Sequence, residues 1–214
     1  MQSSTKSPMA TLPEPRGLSL LEVLVTLTVL AVLTALTGGA LTTLASWRGL
    51  GAIQELAAVL DEARAQAMAT QQEVWVAFAT TAAVPGAFRS YVQCEMTQTP
   101  DGEKRLRPIG DWRRLPQGQV FSLSPPATPE AGRNLLREDG ALRPVWLAGV
   151  PVEMPCLGFG VLGQIVHPSL NRPLLALAEG DIHHGLPLQR QGPGPEPCRW
   201  LALHRHTGNA LLLP

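Results

Sequence analysis

The chain has 214 residues, and its 17 Lys and Arg balance its 17 Asp and Glu. A formal charge of zero leaves no overall electrostatic footprint for nucleic acid. Aromatic content of 5% beside 20 Gly and 20 Pro, most of them after residue 84, disfavours a helical bundle and favours a loop-rich β domain.

The first segment, Met1 to Gly17, carries Lys6, Pro13, Pro15 and Arg16. From Leu18 to Trp47 the residues are mostly Leu, Val, Ala and Thr, and Glu22 is the only charge. A helix rises ~1.5 Å per residue, and about 20 residues span the hydrocarbon core of a bilayer. The run is therefore expected to span a membrane and protrude. A charge inside a bilayer helix costs roughly 2.5–3.5 kcal/mol, so retaining Glu22 there implies a use for it. A secretory signal has a shorter apolar region, followed by its small-residue cleavage site. Here the glycine comes first. Lys6 and Arg16 place the N-terminus in the cytoplasm, and Arg48 opposes that bias.

Gly49 to Ala69 follows. Ile53, Leu56, Leu60, Ala63 and Ala67 recur at helical spacing, which predicts an amphipathic helix running to about Thr70. Gly38-Gly39 and Gly49-Gly51 are its weak points. They read either as flex points or as sites of close helix packing.

Strand character begins at Glu73 to Ala79. Further strands are predicted at 88–94, 119–123, 145–147, 159–161, 164–167, 174–178, 200–205 and 210–213. Turns rich in Pro and Gly separate them at 99–102, 124–132 and 185–197. No comparable helix is predicted after residue 70.

The junction Arg16-Gly17-Leu18-Ser19-Leu20-Leu21-Glu22-Val23 resembles the prepilin N-terminus of type IV pilins and type II secretion pseudopilins. The resemblance implies cleavage by a prepilin peptidase between Gly17 and Leu18, with methylation of the new N-terminus. Glu22 becomes the fifth mature residue, the place of the family's glutamate. Leu18 departs from the family's usual Phe, and the leader is long. A plain uncleaved anchor, with Glu22 snorkelling to the interface, is the alternative. The stretch Leu56 to Val74, with Ala63-Arg64-Ala65-Gln66-Ala67, is similar to H-type pseudopilins and FimT-like minor pilins. So are Phe159 to Ile165 and Leu201 to Ala210, read as their paired C-terminal strands. The middle, Pro85 to Pro155, resembles nothing.

Cys94, Cys156 and Cys198 lie beyond the apolar run. In an oxidising compartment a Cys156–Cys198 disulfide is one reading, and three buried thiols the other. His183-His184 and His204-x-His206, with His167 or Cys198, match no zinc spacing, so no metal or cofactor is expected. Ser90, Ser122, Ser124 and Ser169 sit in no nucleophile elbow, and no enzyme is expected. Lys104, Arg105, Arg107, Arg113 and Arg114 with Trp112 suit single-strand DNA contact, which FimT-type minor pilins can make. Interleaved Asp101, Glu103 and Asp111 favour a solvated hairpin face instead.

The expected fold class is α+β: a long N-terminal helix, membrane-spanning in its first half, packed on a C-terminal antiparallel β-sheet domain, pilin-like. The expected divisions are a leader at 1–17, an assembly helix at 18–47, its amphipathic continuation at 48–72 and a β-rich domain at 73–214. The expected location is the inner membrane, single-pass, with the C-terminal domain periplasmic. The expected function is a structural minor pilin or pseudopilin, with a membrane-anchored DNA- or ligand-binding module as the alternative. The partners implied are prepilin peptidase, other such subunits and the membrane.

Overall fold

The computed structural model describes residues 20–84, 86–123, 132–184, 186–189 and 198–213, with side chains described for all of these except 35–48 and 189. The chain divides into two compact units, Met1–Leu44 and Ala45–Pro214. One helix, α1 (Leu20–Thr70), opens the described chain. It runs unbroken through Gly49 and Gly51. A Cβ at Gly49 would come within 2.9 Å of Arg199 Nε, which favours close packing over flexing at that glycine. The helix stops where Gln71 takes a φ of 55°, a left-handed C-terminal cap. The Gln71 side chain donates to Met68 O at 2.8 Å, satisfying one carbonyl of the last turn.

In the second unit α1 is amphipathic. Ala52, Ile53, Leu56, Leu60, Ala63 and Ala67 are all fully buried. Gln54, Glu55, Asp61 and Glu62 stay exposed. Each buried Leu or Ile stabilises by about 1.5–3 kcal/mol, so this face fixes the helix to the β structure. Leu56→Ala would cost about 2–5 kcal/mol.

The strands follow in order: β1 (Val74–Phe78), β2 (Ser90–Gln98), β3 (Lys104–Pro108), β4 (Arg113–Arg114), β5 (Gln119–Phe121) and β6 (Arg133–Asn134). Two short 3-10 turns, Leu135–Arg137 and Asp139–Ala141, lead into β7 (Leu142–Leu147) and β8 (Val150–Phe159). The last are β9 (Ile165–His167), β10 (Pro173–His183), β11 (Leu186–Gln189), β12 (Cys198–Leu203) and β13 (Ala210–Leu213).

Five strands close on themselves. β1 pairs with β2, β2 with β3, β3 with β7, β7 with β8, and β8 returns to β1. The β3–β7 contact, through Leu106 and Val145, is parallel, and the others are antiparallel. Closure leaves no open edge among these five strands. Side chains alternate along a strand, so one set fills the barrel. That set includes Trp75, Ala77, Val92, Cys94, Leu106, Val145, Met154 and Cys156. The alternate set on β1, Val74, Val76 and Phe78, packs in the same core cluster as α1. Both faces of β1 are thus covered, and every one of its residues is buried.

A second sheet has the order β11-β10-β12-β13, with β5 and β6 also on β10. Its Leu175, Leu177, Leu201 and Leu203 join the α1 core. Leu174, Ala176, Trp200 and Ala202 form a separate cluster.

The expected fold class is therefore corrected. The domain is not one antiparallel sheet under a membrane-spanning helix. It is mostly β, in two sheets, with a closed five-stranded barrel and parallel pairings at β3–β7 and β6–β10. Among the described residues no helix is long and apolar enough to cross a membrane. The expectation of a single-pass inner-membrane protein is corrected on the same finding. The hairpins near the C-terminus are also rearranged. Phe159 pairs with Ile165 in one sheet, and Leu203 with Ala210 in the other. One bond, Ile165 N–H to Arg205 O at 2.8 Å, links them.

Candidate functional site

Every residue from Leu20 to Thr34 is exposed, with Leu20 at 84% and Leu21 at 72%. Leu20, Val23, Leu24, Leu27, Thr28 and Ala31 line one shallow apolar face. Their spacing of three and four is that of a helix–helix seam. The threonines do not interrupt this surface. Thr26 Oγ1 donates to Val23 O at 2.9 Å, Thr28 Oγ1 to Val25 O at 2.8 Å, and Thr34 Oγ1 to Ala31 O at 2.9 Å. Their hydroxyls are satisfied within the helix, which leaves methyl groups to the outside.

Glu22 stands in the first turn of α1 and is exposed. A carboxylate there is favoured by the positive end of the helix dipole. It lies two residues past Leu20, about 200° round the helix, so it faces away from the seam. A neighbour reaching Glu22 is thus a different neighbour from one packed on the seam. Gly17 and Leu18, the expected cleavage and methylation residues, lie outside the described residues.

The basic cluster is dispersed by the fold. Arg105 on β3 is ion-paired to Glu103 at 2.7 Å and lies 3.8 Å over the Trp146 ring. Arg113 on β4 reaches back to Glu62 of α1 at 3.0 Å. Trp112 is half-buried against the barrel core. Arg107 and Arg114 are exposed on separate strands, β3 and β4. Two of the four arginines expected to touch DNA are therefore engaged by carboxylates, and the aromatic one would stack a base on is turned to packing.

The disulfide reading, Cys156 with Cys198, is not met, because Cys156, like Cys94, is a free thiol inside the barrel. Cys198 packs beside the separate cluster of the second sheet. Burial pushes the Cys94 thiol up to about 12, and the backbone contact at Ala77 only partly opposes it. Burial also pushes Cys156 well up, aided by the nearby Cys94 and opposed by Arg143. Both thiols are held protonated and unreactive.

Sequence reasoning missed one constellation, at the end of the barrel. Glu73, Trp75, Met96, Lys104, Arg143 and His167 border a cavity of about 410 Å³. His167 is buried. Its Nε2–H donates to Ala141 O at 3.1 Å, and its Nδ1 accepts from an Arg143 amine at 3.3 Å. With one ring nitrogen donating and the other accepting, the ring is held neutral. Burial, helped by Arg143, lowers its pKa against the opposing carbonyl bond. The sequence signal available was slight: Lys104 begins β3 and Arg143 is the second residue of β7, which places them on inward positions only if the barrel is known.

Comparison with protein-family models, characterised proteins and solved structures finds no match to the chain.

Proposed function

We propose that this protein is a structural subunit of a pilus or pseudopilus, of the type II secretion or type IV pilus kind. It is cut by a prepilin peptidase between Gly17 and Leu18, methylated at Leu18, and assembled by packing of N-terminal helices. The observation that carries the reading is the exposed apolar helix Leu20–Thr34, broken by the single charge of Glu22. Water is a poor solvent for such a surface, and identical helices packed at seam spacing would cover it. The junction Arg16-Gly17-Leu18 before it supports processing at that point.

Glu22 then has a defined task. Cleavage creates a positive amine at Leu18, and a helical array buries it among apolar side chains. An opposite charge from a neighbour offsets that cost, whereas an unpaired buried charge is expensive. Glu22 faces away from the seam, as such a contact with a second neighbour requires.

The test is incorporation of variants into sheared filaments or cross-linked complexes, normalised to total subunit. Glu22→Ala should incorporate poorly and Glu22→Asp to an intermediate extent, its shorter reach lengthening the pair. Equal incorporation of Glu22→Ala and wild type would show the charge to be incidental.

A further inference from the structure

The barrel mouth holds a cavity bordered by two cations. Its cavity of about 410 Å³ is within the range of small-molecule sites, and barrel mouths are a usual place for them. Trp75, Met96, Leu106 and Val166 supply its apolar lining. Two cations stand at its border, Lys104 on β3 and Arg143 on β7. Strand register sets them there. Lys104 is two residues before inward Leu106, and Arg143 is paired with inward Met154.

Neither cation is neutralised by the fold. Among the described residues no carboxylate lies within ion-pair distance of Lys104 or Arg143. Arg143 is oriented by a neutral group, the Nδ1 of His167, which uses one of its five N–H donors and none of its charge. Glu73 is the one carboxylate on the lining, so the mouth keeps an excess of positive charge. Trp75 lines the cavity and is 5% exposed.

We infer that the barrel mouth binds a small carboxylate with an apolar body, its headgroup at Lys104 and Arg143 and its body against Trp75, Met96 and Leu106. A carboxylate suits the planar guanidinium fork, and its second oxygen can turn to the ammonium. An amine would meet two like charges, and an amide, neutral and with a single acceptor oxygen, would lose the ion pairing and one of the two bonds. The thioether of Met96 and the indole of Trp75 favour a flat apolar body, through sulfur–aromatic and ring contacts. The site lies wholly in the second unit and is independent of assembly through α1.

The test uses the full chain and ligand-observed NMR with hydrocinnamate and octanoate, each beside its amide and its amine. The carboxylates should bind, the amides about tenfold more weakly, and the amines not at all. Lys104→Gln, at an exposed residue whose loss leaves the core intact, should weaken the carboxylates by about tenfold and the amides by clearly less. Arg143→Gln should do the same. Trp75→Phe should weaken carboxylate and amide alike, since both rest their apolar body on the ring that is reduced. Binding of the amines as tight as the carboxylates, carboxylate binding unchanged in Lys104→Gln and Arg143→Gln together, or no binding of either carboxylate would each overturn the assignment.

Discussion

The rings of Trp75 and His167 lie 5.3 Å apart between centroids with their planes inclined by 37°. This contact joins β1, the first strand of the barrel, to β9, which lies outside its closed circuit. It sets the wall of the barrel mouth, and it ties the protonation of His167 to the integrity of that wall.

The first prediction concerns pH. His167 titrates below its ordinary value of about 6.5 because burial disfavours the imidazolium. The unfolded chain therefore takes up this proton before the folded one does. Stability should be full above about 6.5 and should fall as pH drops from there toward the lower folded value, where the His167 contribution levels off. His167→Gln keeps a donor for Ala141 O and removes the titration. Urea unfolding on either side of that pH should show a smaller drop in the variant than in wild type. An identical drop would mean that other groups carry the pH dependence.

The second concerns the thiols. Cys94 and Cys156 are buried in the barrel, and Cys198 is partly exposed. Under native conditions a thiol reagent should modify Cys198 alone, and Cys94 and Cys156 should react only as the barrel unfolds. Peptide mapping after timed labelling reads this directly. Early labelling of Cys94 would show that the barrel opens far more often than a packed core allows.

The third concerns the loops against the end of α1. Gly208 has a φ of 67°, and a Cβ there would lie 2.1 Å from the carbonyl oxygen of Gly163. That contact is with backbone, so no side chain can turn aside. Gly208→Ala should destabilise by about 2–5 kcal/mol, from left-handed strain and overpacking together. Gly51→Ala, at an open helical position with nothing within 4 Å of the added atom, should be neutral or stabilising by up to about 1 kcal/mol. Thermal melts of the two variants should move in opposite directions or differ clearly in size.

How much of this was legible beforehand differs by element. The stripe Ile53, Leu56, Leu60, Ala63 and Ala67 was readable because helical periodicity is local, and all five residues are buried. β1 was readable for the same reason. β8 was not, since Pro151, Pro155 and Gly158 interrupt any strand pattern in the sequence. In the barrel they are tolerated at positions opposite Trp146, Leu142 and Trp75. β3 was hidden by its own charge: Lys104, Arg105 and Arg107 looked like a solvated patch, while Leu106 alone of the strand is buried. Barrel closure rests on the Leu106–Val145 pairing, 39 residues apart in the chain, which no local pattern reports. The mouth follows from closure, and so Trp75, Lys104, Arg143 and His167 could not be grouped before it.

The central claim is that this chain is processed and assembled as a pilin-like subunit, and processing tests it most directly. Intact-mass spectrometry of the full chain, co-expressed with an active prepilin peptidase, should show loss of Met1 to Gly17 and one added methyl group on Leu18. Gly17→Val should remain full length, because a branched side chain cannot occupy the place of glycine at the cut. A wild-type chain that stays full length beside a peptidase shown to cut a known substrate would contradict the account.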